Sequence, residues 1–172
     1  MRNFVLGIIV TLVVIGGGAC WYFIGGHAPV TPAESPILFE TWLAKSALNA
    51  RIHQQMPTTV PVAADAATYA AAVPVYRQHC AVCHGLPNQQ AEIFATMFPQ
   101  PTQLFAGTGV SDNPAGETYW KVTNGIRLSG MPAFDAILND TQRWQLSVLL
   151  AHSNQLPPPL VQQLAAPLPQ TP

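Results

Sequence analysis

The chain has 172 residues, 49% of them hydrophobic and only 9% charged, with 17 prolines and a formal net charge of -1. Soluble domains carry roughly 25% charged residues, so the composition points to a membrane or a large partner surface. Near-neutral charge argues against nucleic-acid binding through a basic face, the apolar content argues against wholesale disorder, and three cysteines are too few for a multi-disulfide scaffold.

From Phe4 to Gly26 there is no charged residue. About 20 apolar residues in a helix cross a hydrocarbon core of roughly 30 Å. Arg2 is the only charge before this stretch and Glu34 the first after it, which orients the N-terminus to the cytoplasm and exports the remainder. A cleavable signal peptide is the alternative, with Gly26-His27-Ala28 as a cleavage site. Its apolar core would span about 7–15 residues, and this one is longer, so residues 1–27 are read as a transmembrane anchor. Cys20 serves there as a small residue within the bilayer, because Gly17 stands where a lipoprotein signal would want a leucine-type residue.

Residues 28–63 form a connector with one helix. Ser35 is a suitable N-cap and Pro36 a suitable first helical residue, and the pattern runs to about His53, ahead of Pro57. Its apolar residues fall on two sides, with Phe39, Leu43 and Ala50 on one and Ile37, Ala44, Leu48 and Ile52 on another. A surface helix normally has one apolar stripe, so this one is expected to touch two bodies, or else to lie on its own domain or the membrane surface. Residues 64–156 read as a compact helical domain. Beyond it, the proline-rich tail 157–172 is expected to be an extended strap or a disordered end.

The chemistry concentrates at Cys80-Ala81-Val82-Cys83-His84. Two thiols three residues apart on one helical turn can form thioethers to the two vinyl groups of a haem, and the adjoining imidazole can bind its iron. This is the haem c attachment signature. A zinc knuckle would need two further ligands, yet the remaining cysteine, Cys20, lies in the membrane segment. A thioredoxin-type pair would need a βαβ pattern, and none is apparent.

One histidine leaves a sixth coordination position. Four methionines are available: Met1, Met56, Met97 and Met131. Met131 stands in Gly130-Met131-Pro132, turn chemistry that suits a tight loop presenting a sulfur. Most methionines are core filler, and Met97 lies only a short loop beyond His84. His79 adjoins Cys80 and would point away, and His152 is read as packed or solvated.

The segments YRQHCAVCHG, FPQPTQL, YWKVTNGIRLSGMPAF and LNDTQRWQLSVLLA, in that order, resemble class I c-type cytochromes over roughly residues 64–156, especially the single-haem domains of membrane-anchored bacterial respiratory and dehydrogenase-linked cytochromes. The resemblance implies an all-α class I cytochrome c fold, here behind an N-terminal transmembrane helix, with one haem c attached through Cys80 and Cys83. It implies His84 as proximal ligand and Met131 as distal ligand. It further implies that a proline carbonyl accepts the His84 Nδ1 proton, with Pro99 and Pro101 as the two candidates. Trp120 and Arg127 are expected near the haem propionates, against plainer roles as a core aromatic and a solvated charge. Ala72 stands where many relatives have glycine at a close helix contact, so a looser crossing of the first and last helices is expected. The last helix should open with Asn139 and Gln142 as a capping box, and Pro74 is tolerable in the first helix if that helix starts just before it.

The function that follows is single-electron transfer without catalysis, since a six-coordinate iron has no open site and histidine–methionine ligation raises its potential. The alternatives are a gas-binding or peroxidase-like protein with a labile distal ligand, a structural subunit, and a freely diffusing periplasmic carrier. Residues 64–156 carry few charges, mildly acidic in balance, and lack the single-sign patch of a steered carrier. The expectation is therefore a fixed subunit of a membrane redox complex, single-pass in a bacterial inner membrane, its haem domain facing the periplasm and partner proteins.

Overall fold

Seven α-helices and two short 3₁₀ turns make up the regular structure of the computed structural model, which describes residues 1–107 and 109–168; no strand occurs among them. The chain divides into two units, Met1–Trp42 and Leu43–Pro172.

In the first unit, α1 (Arg2–Ile24) has 23 residues and no buried side chain. At 1.5 Å per residue it is about 34 Å long, enough to cross a membrane, a test that a signal sequence also passes. Trp21, Tyr22 and Phe23 cluster at its C-terminal end, with the Trp21 and His27 rings 4.1 Å apart. Helix α2 (Glu40–Gln55) starts four residues later than the serine–proline pattern suggests. Phe39 takes a left-handed φ of 67°, which cannot continue a right-handed helix. The Glu40 carboxylate accepts from the Ile37 N–H ahead of the helix, at 2.9 Å.

In the second unit, α2 buries Ile52 alone within the chain. Residues expected to act as a connector belong to this unit's packing. The Trp120 indole donates to Gln55 Oε1 at 3.2 Å, and Gly116 sits against the Pro57 carbonyl, where a Cβ would come within 2.0 Å of the oxygen.

Helix α3 (Ala66–His79) is capped by Asp65, which accepts from the Thr68 N–H at 2.8 Å. Pro74 therefore lies inside the helix rather than at its start. The cost is contained because Pro74 and Ala70, whose carbonyl loses its partner, are both exposed to water. Helix α6 (Asp140–Ala151) opens with the Asn139–Gln142 capping box. It packs against α3 and against α5 (Ala115–Asn124). Ala72, Tyr76, Leu146 and Leu149 are completely buried in the core, so Ala72 leaves no exposed gap there. Trp144 stacks on Tyr119 at 4.1 Å.

The described part of the tail departs most from expectation, residues 169–172 lying outside the described residues. Residues 158–165 form α7 (Pro158–Ala165) rather than an extended strap, with prolines in its first turn and Leu160 and Leu164 buried in the core. Proline is tolerated where the N–H would have no helical partner anyway. The Arg77 guanidinium on α3 donates to the carbonyls of Gln163, Leu164, Ala166 and Pro167 at 2.6–3.1 Å. A cation there completes the open carbonyls of the last turn and complements the helix dipole.

Candidate functional site

Helix α3 passes through Cys80 into a single turn, α4 (Ala81–His84). The N–H groups of Cys83 and His84 both bond the Cys80 carbonyl, at 3.1 and 2.9 Å. This turn brings two thiols and an imidazole into one short segment. Both cysteines are free and half-buried, and Val82 between them is exposed. Burial, reinforced by Cys83, pushes the Cys80 thiol up to about 12, so it is a neutral thiol at physiological pH.

Two buried contacts hold the turn. Tyr76, one helical turn before Cys80, donates its hydroxyl to the Gly85 carbonyl at 2.7 Å and lies edge-on to Phe105. Burial raises the pKa of its phenol well above the ordinary range, with Cys80 adding to the effect, so the hydroxyl remains a donor. Gly85 has φ 74°, and a Cβ there would fall 2.4 Å from the Gln89 carbonyl oxygen. Only glycine closes this corner without strain.

His84 is oriented by the loop that follows. Its Nδ1 lies 2.7 Å from the Thr102 carbonyl oxygen. A carbonyl has no proton to give, so Nδ1 carries the hydrogen and Nε2 keeps its lone pair. The acceptor is thus neither Pro99 nor Pro101 but the residue after them. Burial lowers the His84 pKa, and the bond to Thr102 opposes that shift; the neutral, metal-binding form is favoured. Next to Thr102, Gln103 Nε2 is buried without a hydrogen-bond partner. It is a spare donor beside the histidine loop.

Met131 closes a second loop. Its carbonyl accepts from Ile126 N–H at 3.1 Å, and its own N–H reaches Ser129 Oγ at 3.3 Å. Gly125 and Gly130 take φ of 66° and 67° on either side of this closure. A Cβ on Gly125 would approach the Met131 carbonyl and the Ala133 N–H within 2.8 Å. Phe134 N–H bonds the Val122 carbonyl at 3.0 Å, tying the loop to α5. The thioether of a half-buried Met131 is therefore carried on backbone with little freedom.

Trp120, His79 and His152 have partners elsewhere. The Trp120 N–H is bound to Gln55, and Arg127 is exposed on the Met131 loop. No hydrogen bond among the described residues joins either to Cys80, His84 or Met131. His79 packs edge-on to Phe134, and His152 Nδ1 donates back to the Val148 carbonyl at 2.9 Å. Among the described residues no three His, Cys, Asp or Glu side chains converge as a metal cage, so the zinc alternative lacks its ligands.

The donor set fits a covalently attached haem. There are two thiols for the thioethers, an imidazole with its far nitrogen free, and a thioether on a closed loop. The helical fold and the Cys-x-x-Cys-His segment are those of a class I c-type cytochrome domain. More particularly, residues 67–150 match the family model described as cytochrome C oxidase, cbb3-type, subunit III. Comparison with curated proteins and with solved structures returned no match. A c-type cytochrome domain of this kind carries electrons on haem.

Proposed function

We propose that the protein is a single-haem, membrane-anchored electron-transfer subunit of a bacterial respiratory or dehydrogenase complex. Cys80 and Cys83 would hold the haem covalently, and His84 and Met131 would be the residues that bind its iron. A haem c bound in this way takes up and gives away one electron through its iron. The observation that carries the reading is the His84 Nδ1 bond to Thr102 at 2.7 Å. It fixes the tautomer and the ring plane, as outer-shell partners do at metal sites, and raises ligand basicity. The buried phenol of Tyr76 keeps the turn that carries Cys80, Cys83 and His84 closed. The loop around Met131 offers a neutral sulfur, a ligand that favours the ferrous state and a higher potential.

The anchor is α1, with its aromatic residues toward the exported end, where membrane interfaces favour Trp and Tyr. Exposed Leu38, Phe39, Trp42 and Leu43 are read as contacts for a neighbouring subunit. The description of the matching family favours an oxidase as that complex. Met131→Ala tests the ligand reading. The oxidised protein is expected to lose its methionine–iron absorption at the red end of the spectrum, turn high-spin or recruit another ligand, and fall in potential. An unchanged spectrum would reject Met131 as ligand.

A further inference from the structure

Met97 has no role in the reading above, yet its side chain reaches the loop that carries Met131. A Cβ built on Gly130 would lie 3.0 Å from Met97 Cε, closer than ordinary van der Waals contact. The space where Gly130 lacks a side chain is therefore bordered by the Met97 methyl. Gly130 adjoins Met131 in sequence, so the thioether tip of one methionine braces the backbone that presents the other.

The segment headed by Met97 also reaches the histidine. Residues 97–102 read Met-Phe-Pro-Gln-Pro-Thr, and the last of them supplies the carbonyl bonded to His84. Two prolines in six residues fix φ near -65° at Pro99 and Pro101 and restrict Phe98 and Gln100 before them. The segment is therefore stiff, with one end on Gly130 and the other on the His84 ring. The prolines act through this stiffness rather than as hydrogen-bond acceptors.

We propose that Met97 is a positioning residue. Packing against Gly130, it sets the Met131 loop relative to the stiff 97–102 segment, which in turn orients His84. This rests on the reading of Met131 as the second axial ligand.

The test uses the full-length protein in detergent, with imidazole as a competitor for the methionine position and the methionine–iron absorption as readout. Wild type is compared with Met97→Ala, Met97→Leu, Gly130→Ala and the double variant Met97→Ala/Gly130→Ala. Truncating Met97 opens space beside Gly130 and loosens the loop, so imidazole should displace Met131 at about tenfold lower concentration, a modest part of what large-to-small changes cost a core. Met97→Leu keeps most of the volume without the sulfur and should restore wild-type competition. Gly130→Ala is strained by the φ of 67° in either background, but its additional cost should be smaller in the Met97→Ala background than alone, because the crowding methyl is gone. Wild-type competition in Met97→Ala would overturn the proposal. So would failure of leucine to rescue, which would mean that the sulfur rather than the packing acts. A wild-type spectrum without the methionine–iron absorption would overturn the ligand reading itself, and this proposal with it.

Discussion

Tyr76 and Gly85 are joined across the attachment turn, the buried phenol donating to the glycine carbonyl at 2.7 Å. The bond links the helix before Cys80 to the residue after His84, so it closes the turn from both ends. Tyr76→Phe removes the donor and keeps the ring packed on Phe105. The buried carbonyl is left unsatisfied, a loss of about 1–3 kcal/mol. Denaturant unfolding of the holoprotein should show this loss with the haem spectrum unchanged. An unaltered midpoint would mean that the carbonyl finds another donor.

Asp65 links stability to acid pH. The Thr68 N–H, then the Thr68 hydroxyl, hold its carboxyl below the ordinary carboxylate value. A depressed folded-state pKa contributes stability that is present above the unfolded value and is lost as pH falls through the folded one. Asp65→Asn keeps a cap acceptor but removes the proton linkage. The stability difference between wild type and the variant should therefore be largest near neutral pH and shrink on acidification. A difference that stays constant with pH would show that the carboxylate charge plays no part.

The exposed residues at the start of α2 bear on assembly. Phe39 is 68% exposed and Leu43 62%, so a charge at either place disturbs little packing within the chain. Phe39→Asp and Leu43→Asp should release co-purifying subunits from detergent extracts while the haem spectrum stays as in wild type. Recovery of wild-type chain in the periplasmic fraction, monomeric without detergent and starting near Pro29, would instead identify a cleaved signal and a diffusing carrier.

What the residues disclosed in advance divides along physical lines. Cys80, Cys83 and His84 could be marked as candidates because covalent haem attachment requires those side chains at that spacing, and the Asn139–Gln142 cap was legible because its chemistry is local. The Thr102 acceptor was not legible, since every residue has a carbonyl and only the folded loop decides which one meets the imidazole. The Met97–Gly130 contact joins segments remote in sequence, and nothing local marks it. Prolines misled twice. Pro74 sits inside α3 on its solvent face, and the prolines at the start of α7 open a helix that tertiary contacts support. Both outcomes depend on surroundings that composition does not describe.

Arg77 ties the tail helix to α3. An isolated helix shorter than about 12–15 residues is marginal in water, and α7 has 8 residues. It persists by burying Leu160 and Leu164 and through the guanidinium bonds to the carbonyls of Gln163, Leu164, Ala166 and Pro167. Arg77→Ala removes every one of these donors, leaving the leucines to hold the helix alone. Hydrogen bonds to charged groups contribute about 1.5–3 kcal/mol each before screening, and exposure at this site lowers their joint contribution, so the expected loss of stability is about 1–3 kcal/mol. Limited proteolysis is the sharper measure, because cleavage tracks the population of opened segments. Cleavage between Leu156 and Leu164 should rise about tenfold or more in Arg77→Ala, with the haem still attached. Arg77→Lys should fall between wild type and alanine, since one ammonium cannot span the carbonyls that a planar guanidinium bridges. Equal cleavage of all three proteins would show that the buried leucines alone fasten the helix and that Arg77 contributes nothing to it.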